Sequence, residues 1–235
     1  TLFPYTTLFR SVLSWAVSEE LLSSNPARGV EQPLPPPPRL TFLSLDEVRQ
    51  LLGEAERQAR AAKTRMPWSR WIAVSLALRL GLRRGELFGL RWGDVDLTTG
   101  RLTVARSYRT TPKNGKPRHL RIPDALSELL QKWQPLCPST PEQLVCPALY
   151  HGSWGMYRDT GSSRSLNKLY RKAGIRDLER PWHLLRHTFA SHFMQSGGSL
   201  LALSQILGHS DVKTTMIYAH LSPEFLAEQV NKMKY

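Results

Sequence analysis

The sequence predicts an α+β domain, mainly α-helical, with one small three-stranded antiparallel sheet. Three observations carry this. Apolar residues recur at helical spacing over most of the chain, as in Val48, Leu51, Leu52 and Ala55. Helix-boundary chemistry accompanies them: a capping-box pair at Ser44 and Glu47, and glycines at 81, 174 and 208 where helical runs stop. Only Val95 to Ile122 changes to an alternating period, and it contains Asn114-Gly115, a strong hairpin-turn signal.

In chain order, Thr1 to Arg10 is expected to be non-native, and the first residue, Thr rather than Met, is read as an incomplete reading frame. Ser11 to Ser23 has helical spacing, with Val12, Trp15 or Ala16, and Leu22 available for one buried face. Asn25-Pro26 should stop it, because proline pushes the preceding residue out of the α region. Pro33 to Pro38 favours an extended polyproline linker. Residues 11–38 are therefore expected to be the remnant of a preceding domain plus a linker, and 39–235 the main domain.

Beyond the Ser44 cap, Trp68 to Leu80 is apolar all round and predicts a buried helix ended by Gly81. Leu82, Leu87 and Leu90 predict a short helix, with Glu86 placed to pair an arginine at its start. The sheet should follow, its last turn carrying Arg109, Lys113, Lys116, Arg118 and Arg121. Such a tip suits a DNA groove or phosphate chain, and equally a solvated edge. Asp124 should cap a helix to Trp133, and the Pro/Gly/Ser-rich 134–163 is expected to be a long surface loop. A basic helix over 165–173 offers Lys168, Arg171 and Lys172 to phosphates. Helices are then predicted over 183–196 and 200–207, one capped by Asp211 that carries Tyr218, and a last one from Ser222-Pro223 to Lys232.

The charge narrows the partner. There are 32 Lys+Arg against 19 Asp+Glu, a formal net charge of +13, which favours a polyanion, with nucleic acid ahead of an anionic membrane face. No apolar run reaches the ~20 residues that span a bilayer. The two cysteines show neither metal-site spacing nor a disulfide framework, which fits a reducing cytoplasm. His183 and His187 lie at i and i+4, but Arg186 stands where an H-E-x-x-H zinc site would have other company, and its Glu is missing. Neither a nucleotide-binding P-loop nor a Gly-x-Ser-x-Gly elbow occurs, so no metal and no cofactor is expected.

The chemistry concentrates between Pro181 and Glu224. His183 and Arg186, three apart on a predicted helix, put a proton-transfer group beside a fork of N–H donors, a combination suited to an anionic oxygen. Gly208-His209 and Tyr218 follow, the tyrosine a possible nucleophile.

Five motifs in this order resemble the tyrosine site-specific recombinases, especially phage-type integrases. They are Gly81-Leu82-Arg83-Arg84-Gly85-Glu86, the Pro112 to Arg118 turn, His183 to Ser191, Leu207-Gly208-His209-Ser210, and Tyr218-Ala219-His220. The resemblance spans about Thr41 to Glu224, and the remnant before it resembles the end of the family's core-binding domain. It implies catalytic roles for Arg83, Lys113, His183, Arg186, His209 and the nucleophile Tyr218, with Glu86 in support. Arg83 and Arg186 would bracket the scissile phosphate, Lys113 would protonate the leaving 5′-oxygen, and His183 would take the Tyr218 proton. His209 would donate to a phosphate oxygen, and nearby cations would favour the Tyr218 phenolate. Arg84, Arg109, Lys116, Arg118, Lys168 and Arg171 would contact DNA. Leu184 departs from the family's usual Asp, which predicts tuning of that helix. The implied protein is a cytoplasmic, nucleoid-associated recombinase that forms a 3′-phosphotyrosyl link on double-stranded sites, without metal or ATP, as a tetramer; its C-terminal helix either docks on a neighbouring subunit, as in the family, or packs within its own chain. Two alternatives share the motifs: a type IB topoisomerase-like relaxing activity, and a non-catalytic DNA-binding module.

Overall fold

The computed structural model describes residues 3–28, 41–108, 117–150, 153–155, 159–176 and 180–222. It divides into two compact units, Thr1–Arg39 and Leu40–Tyr235.

Among the described residues of the first unit the helix α1 (Phe3–Ser18) starts eight residues before the expected Ser11 and ends five before Ser23. The end comes early because Glu20 takes a left-handed conformation (φ 59°), which lets the Leu21 amide reach back to the Ala16 carbonyl. Asn25, expected only to stop the helix, folds back onto it and donates to the Arg10 carbonyl and Ser14 Oγ. Of the expected buried face, Val12, Trp15 and Leu22 are exposed and Ala16 is half-buried.

The second unit is built around α3 (Met66–Leu80), in which every residue from Trp71 to Leu78 is buried. Against it pack α2 (Leu45–Ala61), α5 (Asp124–Trp133) and α7 (Pro181–Gln195). The predicted capping box opens α2: Ser44 Oγ accepts from the Glu47 amide at 3.2 Å, and Glu47 Oε2 from the Ser44 amide at 2.7 Å. The Leu43 amide donates to Thr188 Oγ1 and its carbonyl bonds His192 Nε2, tying the start of α2 to α7. In α5 the cap position belongs to Pro123, so Asp124 is a first-turn residue.

After the short α4 (Arg84–Gly89) comes the sheet: β1 (Val95–Asp96), β2 (Arg101–Val104) and β3 (Arg118–Arg121), antiparallel in that order. Leu102 opposes Leu120 in the register, and both turn inward with Val104. Residues 109–116, the expected basic tip, lie outside the described residues.

The region expected to be a long surface loop is instead partly core. Val145, Cys146 and Ala148 are buried, Trp133 Nε1 donates to the Val145 carbonyl at 2.8 Å, and β4 (Ala148–Tyr150) pairs with β5 (Ser153–Gly155). The short apolar run there outweighs its Pro/Gly/Ser surroundings. Helix α6 (Asp159–Lys172) starts six residues before the expected Ser165 and buries Leu166, Leu169 and Tyr170.

Helices α7 and α8 (Leu200–Leu207) lead into two 3₁₀ turns, Val212–Thr214 and Met216–Leu221, where an α-helix was expected. Asp211 caps as predicted, accepting from the Lys213 amide. The β-branched Val212, Thr214, Thr215 and Ile217 are poor α-formers, which explains the tighter turns. Tyr218 packs there in a small cluster with Ala190, Met194, Leu203 and Leu207. The predicted final helix lies beyond Ser222, outside the described residues.

Candidate active site

Two helix ends build the floor of the site. Helices α3 and α8 both finish on left-handed glycines, Gly81 (φ 61°) and Gly208 (φ 64°). These caps turn the last carbonyls toward two guanidinium groups. Arg186 donates from Nη1 to the Gly81 carbonyl at 2.7 Å and from Nη2 to the Leu207 carbonyl at 2.8 Å. Arg83 donates from Nη2 to the Gly208 carbonyl at 3.0 Å. Helix C-termini carry the negative end of the macrodipole, so each cation meets partial negative charge there. A side chain at either glycine would also collide: at Gly81 with Phe189 and Leu207, at Gly208 with Arg118 Nη1.

Glu86 fixes the other side of Arg83. It is 3% exposed and holds two arginines. Arg83 Nη1 reaches Oε1 at 2.9 Å, while Arg118 donates through Nη1 and Nη2 at 2.9 and 2.7 Å. The Arg83 amide adds a bond to Oε2. Burial alone would raise the Glu86 pKa, but the Arg118 bonds and charge, then those of Arg83, bring it down to about 2. The Arg83–Glu86 pair is the one expected from their spacing. Arg118, expected to contact DNA, bonds Glu86 and, through Nε, the Ile206 carbonyl. A buried carboxylate draws it inward.

Arg83, His183, Arg186, His187, His209 and Tyr218 all line one cleft of about 320 Å³. Arg186 Nη2 also donates to His209 Nε2 at 3.0 Å. Arginine has no acceptor, so Nε2 carries no proton and Nδ1 donates to Thr215 Oγ1 at 2.8 Å. His209 is thus committed as a link between Arg186 and the turn before Tyr218. To donate to a phosphate, as expected from the sequence, its ring would have to release Arg186. Desolvation, then Arg186 and Arg83, lower its pKa to about 4.

Tyr218 is 2% exposed. Its hydroxyl bonds His187 Nδ1 at 2.6 Å, and the His187 ring meets the His183 ring edge to face at 4.6 Å. Burial raises the Tyr218 pKa to about 12 and outweighs the charge of Arg186, so the expected cation-favoured phenolate gives way to a neutral phenol. Burial, His183 and Arg186 lower His187 to about 4, and burial followed by Arg186 lowers His183 as well. At neutral pH the cleft therefore holds charged arginines among neutral imidazoles. Buried Arg186, pressed down to about 9 by desolvation and Arg83, keeps its proton there.

Of the remaining candidates, Arg84 on α4, and Lys168 and Arg171 one turn apart on α6, are exposed. Arg109, Lys113 and Lys116 lie outside the described residues. His187 and Thr215 were missed as contributors. The signal was present for His187, one turn beyond His183 on the same helix, but only a metal pairing had been weighed for it.

The phage integrase family pattern matches residues 41–224. The chain is 32% identical over 221 residues to tyrosine recombinase XerC of Pseudomonas aeruginosa (strain LESB58), covering 93% of this chain and 67% of that protein. It is 34% identical over 208 residues to a putative integrase of Pseudomonas phage Pf1, covering 88% of this chain and 53% of the relative. It thus spans about two thirds of the one and half of the other. Among solved structures it is similar to the catalytic domain of bacteriophage HP1 integrase, at 27% identity and a TM-score of 0.58, over 83% of this chain and 95% of that one. It shares the fold of the Tn1549 transposon integrase in complex with a circular intermediate DNA, at 18% identity and a TM-score of 0.70, over 97% and 78% of the two chains. The chain belongs to the phage integrase family of tyrosine recombinases and has their mainly helical catalytic-domain fold.

Proposed function

We propose that this chain is the catalytic part of a site-specific recombinase that cuts and rejoins DNA through a covalent 3′-phosphotyrosyl link at Tyr218, serving the integration or excision of a mobile element or prophage. The observation that carries this reading is the meeting of Arg83, Arg186 and Tyr218 in one cleft, with both guanidiniums fixed by helix-end carbonyls. Held this way, the arginines can meet a scissile phosphodiester with N–H donors that need no reorganisation, and stabilise the charge that builds at the pentacoordinate phosphorus. Tyr218 Oη attacks phosphorus as its proton passes to an imidazole of the cleft, the bond to the 5′-oxygen breaks, and Lys113 supplies the proton to that oxygen. The phosphotyrosyl bond stores the energy of the broken one, so rejoining needs no nucleotide. Double-stranded recombination sites are the substrate, and the working form is a tetramer on DNA joined through the C-terminal segment, in the cytoplasm at the nucleoid.

Incubation with a nicked suicide site, from which the cut end diffuses away, should trap a covalent protein–DNA species. Tyr218→Phe should abolish it. A covalent species that survives this substitution would sink the assignment of the nucleophile.

A further inference from the structure

Among the described residues the hydrogen-bond partner of the Tyr218 hydroxyl is His187, whereas the family resemblance assigns the tyrosine's proton to His183. Helix α7 presents both rings to the cleft one turn apart, and His187 stands between His183 and Tyr218: its ring centroid lies 4.6 Å from that of His183 and 5.8 Å from that of Tyr218. Both partners of the 2.6 Å bond are neutral at pH 7. A phenol is a far stronger acid than a neutral imidazole N–H, so the tyrosine donates, Nδ1 accepts, and the His187 ring proton resides on Nε2.

We propose that His187 is a further catalytic residue of this site: its Nδ1 takes the Tyr218 proton as Oη attacks phosphorus, and returns it when the strand is rejoined. The proposal rests on the reading of Tyr218 as the nucleophile. In cleavage the Oη–H bond breaks, the Oη–P bond forms and the P–O5′ bond breaks. The phenolic proton passes to Nδ1, and the 5′-oxygen takes its own proton from Lys113, the acid of the proposed function. In rejoining, the 5′-hydroxyl attacks phosphorus and gives its proton back to Lys113, the Oη–P bond breaks and Nδ1 reprotonates Oη.

The resting cleft discourages the imidazolium that this step creates. His183 and Arg186 from α7 act on the ring, Arg83 just before α4 and His209 just after α8 line the same cleft, and the charge among them is positive. A phosphate anion held by the two arginines offsets that repulsion, and Oη becomes steadily more acidic as its bond to phosphorus forms. The proton transfer is therefore unfavourable in the resting cleft and becomes favourable only along the attack on a bound phosphodiester. His183, edge-on to His187, is placed to position that ring.

The test measures single-turnover covalent trapping across pH on two nicked sites, one ordinary and one with a 5′-bridging sulfur. A thiolate leaves without an acid, so the sulfur substrate isolates activation of the nucleophile. His187→Asn keeps an acceptor oxygen near the Nδ1 position but cannot take a proton. It should slow trapping by roughly 100-fold or more on both substrates and remove the acid limb of the pH–rate profile. Rates within about threefold of the parent would overturn the proposal. Tyr218→Phe, run alongside, separates the two claims, since a covalent product from that variant rejects the nucleophile and not the base alone. Nitrogen-15 NMR of the unsubstituted chain gives a readout free of cleavage. At neutral pH His187 should be protonated on Nε2 and bare on Nδ1, and a protonated Nδ1 would overturn the proposal.

Discussion

Glu86 holds the cationic side of the cleft in place at the cost of a buried charge. Replacing it by Gln leaves Arg83 and Arg118 facing each other without their shared carboxylate. Removing one partner of a buried ion pair destabilises by roughly 3 kcal/mol. Glu86→Gln should therefore lower the melting temperature by about 6–12 °C, at about 2–4 °C per kcal/mol for a domain of this size, and slow DNA cleavage by loosening Arg83. Unchanged melting would show that Arg118 and Arg83 find other partners. The site residues were legible in the sequence to different depths. Arg83, Arg186 and Tyr218 stood out through the family resemblance of the motifs that hold them, and they line one cleft. The inward turn of Arg118 did not, because it depends on where β3 passes Glu86, which local pattern does not encode. His187 was hidden for a similar reason: its partner lies 31 residues away, on a turn whose path only the tertiary packing decides.

At the scale of elements, the two glycine caps couple helix architecture to chemistry. Gly208→Ala would force a side chain into a left-handed residue, at about 1–2 kcal/mol, and push it against Arg118. Stability should fall modestly, while the rate of cleavage on saturating DNA falls further, because the Gly208 carbonyl that fixes Arg83 shifts with its residue. A proportionate loss of stability alone, with the cleavage rate intact, would make the cap merely structural. These caps, the capping box and the buried α3 were readable because each is written in adjacent residues. The core segment near Val145 was not: Val145, Cys146 and Ala148 are buried inside a proline-rich stretch, and the Val145 backbone is bonded by Trp133 Nε1 and the Leu90 carbonyl, which lie elsewhere in the chain.

Two properties belong to the whole molecule. The first is its response to acid. His187 and His209 titrate near 4 in the folded chain, below their ordinary 6.5, so the unfolded chain takes up those protons first. Their contribution to stability is full above pH 6.5 and is lost as pH falls from there toward 4. Glu86, near 2 against an ordinary 4.5, adds a contribution that is lost between about 4.5 and 2. Melting temperature measured against pH should be flat near neutrality and decline in two stages below 6.5; a rise toward pH 5 would contradict these assignments. The second is the net charge of +13, which should make DNA binding steeply salt-dependent. If Lys168 and Arg171 each contact a phosphate, replacing both by Ala should reduce the slope of log K against log[salt] by roughly 2, and an unchanged slope would remove them from the interface. Arg118→Ala, in contrast, should act mainly through stability.

The most direct test of the central claim is to digest the trapped protein–DNA species and locate the nucleotide-bearing peptide by mass spectrometry. The predicted result is a DNA 3′-phosphate esterified to Tyr218 Oη. Attachment to any other residue, or no covalent species on any nicked site, would contradict it.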